Sequence, residues 1–171
     1  MTDTKYLEIK GEIKQFTMLG INNCSAKKFE KRFGELLFVL GYYAIQTTPD
    51  KGDWGADLLA IDPDGNKWVY QCKHYKNSTP VQAVDEAVRA RYYYYNSNYA
   101  AVVTTSTYTP QAIEYAKKAK IKLIDKSGEN GKSLQKMCDD ANRRLKVVNE
   151  WIVKRGYDKK TFQVGPKPIK F

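Results

Sequence analysis

The sequence predicts an α/β fold: a mixed central sheet flanked by helices, with a basic helix appended on the C-terminal side. Three observations lead there. Stretches with an apolar residue at every third or fourth position alternate with short runs rich in β-branched and aromatic residues. Residues 56–61 and 67–73 flank Asp62-Pro63-Asp64-Gly65-Asn66, whose proline and glycine make a turn between antiparallel strands. The later runs, Tyr99 to Thr104 and Ile121 to Ile124, are apolar enough to lie inside a sheet.

The elements follow the order α-β-β-β-α-β-α-β. Between Tyr6 and Leu19 apolar and charged residues mix without a period, so helix and strand both stay open. Ser25 caps a helix whose apolar positions Phe29, Phe33, Leu36, Leu37 and Leu40 share one face, and Gly41 ends it. Tyr42 to Thr48 reads as a strand, followed by a turn at Pro49-Asp50-Lys51-Gly52-Asp53. After the hairpin, Thr79-Pro80-Val81-Gln82 has the spacing of a capping box, with Val81, Val84 and Val88 as the expected buried stripe. Thr109-Pro110 repeats this helix-start chemistry. Beyond Gly128 to Gly131, Leu134, Met137, Ala141, Leu145, Val148 and Ile152 mark a long amphipathic helix, and Gly165-Pro166-Lys167-Pro168 an irregular tail.

Composition narrows the function. The 171 residues carry 29 Lys and Arg against 19 Asp and Glu, a net charge of +10, and 42% are hydrophobic. No apolar run approaches the roughly 20 residues of a membrane span. Met1-Thr2-Asp3-Thr4-Lys5 lacks the pattern of a secretory signal, so a cytoplasmic location is expected. Cys24, Cys72 and Cys138 are too scattered for a zinc cluster or a disulfide framework, and His74 is the single histidine. Chemistry must therefore rest mainly on carboxylates, amides and lysines. Much of the positive charge falls after Lys132, on a helix carrying Arg143, Arg144, Lys146, Lys154 and Arg155. A basic face of that kind suits a phosphate backbone, and equally a solvated surface.

One constellation stands out. Asp57 lies near the start of one hairpin strand, while Gln71 and Lys73, two residues apart near the end of the other, project from one face with Val69. Trp68, Tyr70 and Cys72 point the other way. Charged groups at a strand end beside apolar neighbours need compensation, which a divalent cation at Asp57 would supply.

Several segments together carry a family resemblance: Phe29-Glu30, Gly41-Tyr42, Gly52-Asp53-Trp54-Gly55-Ala56-Asp57-Leu58, Gln71-Cys72-Lys73, Val103-Thr104-Thr105-Ser106, and then Ala112 and Ala116. In this order, over roughly residues 25–126, they resemble the Mrr-like restriction endonuclease domain of the PD-(D/E)XK nuclease superfamily. The resemblance implies a restriction-endonuclease-like αβββαβ core at 25–126, with an N-terminal segment at 1–24 and the basic helix and tail at 132–171. It also implies a metal-dependent endonuclease of double-stranded DNA. Asp57, Gln71 and the Cys72 carbonyl would bind Mg²⁺ or Mn²⁺, Lys73 would activate water, and Glu30 would be a further ligand or base. The superfamily usually has Glu where this chain has Gln71, although Gln occurs in the Mrr-like branch. A neutral amide gives weaker metal affinity and makes Glu30 more important.

Around this site, Asp53 either touches the metal or shapes its loop, and His74 is a neighbour or a base. Arg89, Arg91 and Tyr92 to Tyr95 contact DNA, form an interface or cover the core edge. Arg89 and Arg91 join Arg143, Arg144, Lys146, Lys154 and Arg155 of the C-terminal helix as candidate DNA contacts. Cutting both strands suggests a homodimer. A nuclease for branched or replication DNA, a non-catalytic DNA-binding protein retaining the fold, and an RNA binder stay open as alternatives.

Overall fold

Seven strands, lying side by side in chain order, form one mixed sheet. The computed structural model describes residues 4–48 and 55–155. The turn at 49–53, with Asp53, and the Gly165-Pro166-Lys167-Pro168 tail fall outside the described residues. Strands β1 (Lys5–Tyr6), β2 (Tyr43–Thr47), β3 (Leu58–Ile61) and β4 (Lys67–Lys73) pair antiparallel in succession. From β4 onward the pairing is parallel, through β5 (Tyr99–Thr104), β6 (Lys122–Asp125) and β7 (Lys132–Ser133). The mixed sheet expected from the sequence is therefore present, with β1 and β7 as short additions at its edges.

The β3–β4 hairpin is shaped by Asp62. Its carboxylate accepts from the Asp64 and Asn66 backbone N–H groups at 3.0 and 2.9 Å and from Trp68 Nε1 at 2.8 Å. Gly65, at φ +89°, supplies the left-handed residue of this turn.

Side chains alternate across the sheet and feed two cores. Leu58, Tyr70, Cys72, Ala101, Val103 and Ile124 face helices α2 (Ala26–Val39) and α5 (Leu134–Arg155). Ser25 Oγ caps α2 by accepting from Lys28 N at 3.2 Å, and Phe29, Phe33, Leu36 and Leu37 are buried as the periodicity predicts. On the other face Val69, Ala100, Val102 and Leu123 meet α3 (Val81–Arg89) and α4 (Pro110–Ala119). Thr109 caps α4 by accepting from Ala112 N at 3.2 Å.

The start of α3 departs from expectation. Pro80 occupies the cap position without a side-chain cap bond, while the buried Thr79 hydroxyl bonds Thr104 Oγ1 at 2.7 Å. Thr79 is paired into a bridge with Tyr108 and so lies too far back in the fold to cap. The buried residues of α3 are Ala83, Val84 and Ala87, with Val81 and Val88 at the margin. With about 100° per residue, this turns the helix by roughly a quarter turn from the valine stripe. After α3 the chain continues as a π-helical turn, Ala90–Tyr94.

Residues before α2 fold onto the same core. Apart from β1 and α1 (Met18–Asn23) they lie outside the helices and strands, and they bury Ile9, Ile13 and Phe16. Two α5 asparagines hold this segment. Asn149 accepts from Ile13 N at 2.8 Å and donates to Ile13 O at 3.0 Å; Asn142 does the same with Phe16, both bonds 2.8 Å. The side-chain amides replace a neighbouring strand, which explains why the segment has no helix or strand period.

Candidate active site

A cleft of about 540 Å³ opens where the first turn of α2, the approach to β3, the end of β4 and the face of α3 meet. Asp57 sits one residue ahead of β3, and its N–H still bonds Tyr70 O at 2.8 Å, continuing the ladder. Its Oδ2 accepts from Cys72 N at 2.7 Å, which fixes the carboxylate against the end of β4. Gln71 and Lys73 come from β4 on the α3 side, as the strand period requires, and Glu30 comes from α2. Asp57, Gln71, Cys72, Lys73 and Glu30, separated by up to 43 positions in sequence, all border this one cleft.

Electrostatics distinguish the members. Burial alone would lower the Lys73 pKa, but the hydrogen bond and charge of Glu86, then Tyr75 and Asp57, outweigh it and raise it, so the ammonium persists. Burial pushes the Cys72 thiol well above its ordinary range, with Asp57 and Glu30 adding to the effect. The thiol, on the α2 side of the strand, is therefore a poor ligand, and the Cys72 carbonyl is the donor to consider.

Gln71 is only 4% exposed, and its Oε1 is buried without a hydrogen-bond partner. An acceptor left in this state costs about 1–3 kcal/mol. A hard cation offsets that cost, and the donors here, two carboxylates, an amide oxygen and a carbonyl, are the oxygen set that Mg²⁺ or Mn²⁺ prefers. No group of three or more His, Cys, Asp or Glu side chains able to hold a metal occurs among the described residues. Any cation in the cleft thus depends on the amide and backbone oxygens as well as on carboxylates.

The candidate DNA contacts are dispersed. Arg89 borders the cleft, with Nε 3.2 Å from Asp85. Arg91 donates to the carbonyls of Lys120 and Asn98 at 2.6 and 2.7 Å, and Arg144 donates to Leu40 O at 3.1 Å. Arg143 pairs with Asp140, Lys146 and Lys154 flank a surface groove beside Trp151, and Arg155 lies over the Trp151 ring. None of Arg143, Arg144, Lys146, Lys154 and Arg155 lines the cleft. His74 points to the α2 side, its Nε2 3.0 Å from Ile21 O and its ring against Phe29. Of the tyrosine run, Tyr94 borders the cleft, Tyr92 reaches Ala119 O at 3.2 Å, and Tyr95 packs on the core.

Sequence reasoning missed Glu86. Its Oε2 lies 2.9 Å from Lys73 Nζ. A stripe of valines places Glu86 on the outer side of α3, whereas the alanine stripe brings it to the flank facing β4. The signal available was the series Ala83, Ala87 and Ala90, which marks close packing more faithfully than the bulkier valines do.

An aspartate at the entrance of one strand, Gln-x-Lys at the end of its hairpin partner and a helix glutamate across from them thus border one cleft, the grouping that the resemblance to PD-(D/E)XK nucleases led us to expect. The Mrr_cat family model, described as a restriction endonuclease, matches residues 21–137. The chain belongs to that family, as the sequence motifs implied, and its domain is a nuclease domain. No curated protein matches the chain. A crystal structure described as a protein of unknown function, AF1548, aligns with 91% of this chain and 70% of its own. At 15% identity and a TM-score of 0.43, that likeness does not bear on function. No helix among the described residues is long and apolar enough to cross a membrane.

Proposed function

We propose that this chain is a metal-dependent endonuclease acting on double-stranded DNA through the Asp57, Gln71, Lys73 and Glu30 cleft. The observation that carries the reading is the partnerless, buried Gln71 Oε1 beside Asp57 and Lys73. Asp57, Gln71 Oε1 and the Cys72 carbonyl would hold Mg²⁺ or Mn²⁺, with Glu30 as the further carboxylate. When bound, the cation polarises the scissile phosphate and lowers the pKa of a coordinated water. Lys73 keeps its proton, so it orients the attacking water and stabilises negative charge developing on the phosphate rather than acting as a base. Asp57 is held in its working orientation by the Cys72 N–H.

Arg89 meets the phosphates flanking the cut, and Arg143, Lys146, Lys154 and Arg155 supply positive charge for a longer stretch of backbone. Arg91 and Arg144 act instead as clamps on backbone carbonyls. Two copies, each cutting one strand, make the active unit, and light scattering with and without DNA checks this mass. The primary test is cleavage of supercoiled plasmid with Mg²⁺, Mn²⁺ or EDTA by the wild type, Asp57→Ala and Lys73→Ala. Cation-dependent nicking or linearisation, lost in both variants, is expected. Cutting that persists in EDTA or in both variants overturns the proposal.

A further inference from the structure

Lys73 carries its ammonium on a flexible stem, and fixing such a side chain costs rotamer entropy. The cleft therefore needs something that makes one position of the ammonium preferable. Glu86 Oε2 is 2.9 Å from Lys73 Nζ, with the Lys73 and Glu86 side chains 15% and 31% exposed. A pair so shielded from water is firmer than an open surface pair.

Glu86 is itself held by the backbone. The approach to β3 passes so close to α3 that a Cβ on Gly55 would sit 2.3 Å from the Glu86 carbonyl oxygen. The same loop leads, two residues later, to Asp57. One contact thus sets the distance between the strand that supplies the carboxylate and the helix that supplies Glu86. The cleft also gathers Glu30, Asp57 and Glu86 against Lys73 and Arg89. An ammonium released from Glu86 has Asp57 as its alternative partner, and pairing there would occupy the carboxylate that the cation needs.

We propose that Glu86 is a positioning residue of this nuclease: it holds the Lys73 ammonium at the cleft wall, aimed at the reaction and kept off the Asp57 carboxylate. This inference rests on the nuclease reading. Glu86 touches neither the water nor the phosphate in this scheme, so its loss lowers the rate of the chemical step more than it weakens substrate binding.

Glu86→Gln preserves shape and one acceptor oxygen while removing the charge. With an oligonucleotide duplex and saturating Mg²⁺, kcat should fall by roughly ten- to a hundredfold while KM stays within about twofold. Glu86→Asp, which keeps the charge, should recover part of that loss. A second readout needs no cleavage: acylation of lysines by an active ester, followed by peptide mass spectrometry. Lys73 should react several-fold faster in Glu86→Gln than in the wild type, measured against Lys118, whose side chain is 75% exposed. If the wild type cuts DNA and Glu86→Gln cuts equally well, or if kcat falls without any change in Lys73 reactivity, this inference is overturned and the nuclease reading stands. If Lys73 is unmasked as expected but the wild type cuts nothing, the nuclease reading fails and the positioning role goes with it.

Discussion

Replacing Gly55 with alanine tests whether the contact between the β3 approach and α3 is tight enough to govern the site. The residue sits at φ +80°, a region that costs an alanine about 1–2 kcal/mol. The added methyl also meets the Glu86 carbonyl oxygen at 2.3 Å, its carbon at 2.9 Å and Cα at 3.2 Å, all backbone atoms. To reach ordinary contact the loop and helix must separate by about 1 Å, and overpacking of this kind costs a further 1–3 kcal/mol. The expected destabilisation is about 2–5 kcal/mol, read from urea unfolding with an unchanged m-value. Because Asp57 follows on one side of the contact and Glu86 lies on the other, DNA cleavage should fall by about a hundredfold even where the protein remains folded. Gly65→Ala is the control: φ is +89°, but nothing lies within 4 Å of the new methyl. It should lose about 1–2 kcal/mol and retain cleavage. Equal costs at the two positions, with cleavage intact in both, would refute the reasoning.

Three other outcomes follow from the same geometry. Asn142→Ala removes both bonds to Phe16 and should cost about 2–3 kcal/mol in urea unfolding. Asn142→Asp should not restore this stability, because its carboxylate faces the Phe16 carbonyl that the amide now serves; full recovery would argue against the two-bond account. Gln71→Glu should raise the unfolding midpoint in Mg²⁺ relative to EDTA by more than the wild type does, since a buried carboxylate needs the cation more than an amide does. Equal shifts would remove Gln71 from the ligand set. For the thiols, burial raises Cys24, pushes Cys138 up to about 11 and raises Cys72 well above its ordinary range. A thiol-specific reagent at pH 8 should therefore modify Cys24 first in the native protein and all three cysteines only in denaturant.

Much of the architecture was legible because its signals are local. The Asp62 to Asn66 turn, the Ser25 and Thr109 caps and the α5 stripe depend on residues a few positions apart, and the structure places them as expected. Thr79 misled because its capping spacing competes with a bridge to Tyr108, a partner 29 positions away. The α3 stripe misled because hydrophobicity favours valine, whereas close packing of helix on sheet favours alanine. Ala56, Ala83, Ala87, Ala100, Ala112 and Ala116 form much of that core. In the site, strand position and alternation brought Asp57, Gln71 and Lys73 together, and the family resemblance brought in Glu30. Glu86 was hidden because its relevance depends on the rotation of one helix, which no single-residue pattern fixed. The arginines were ambiguous for another reason: charge is visible in sequence, but whether a guanidinium serves phosphate or a carbonyl, as Arg91 does, is decided by distant backbone.

The asparagine clasp also gives synthesis an order. Ile13 and Phe16 wait for amides 136 and 126 positions later in the chain. While the protein is being made, the strands and helices α1 to α4 are complete before α5 exists, yet the leading segment, met by Arg32 of α2, still lacks the α5 face and the two amides that clasp it. A ribosome that pauses between β6 and Asn142 therefore leaves Ile9, Ile13 and Phe16 less covered against chaperones and proteases, together with the strip of α2 that α5 later covers. The last long helix is thus the step that turns a vulnerable nascent chain into a protected one, and the speed of translation through it bears directly on yield.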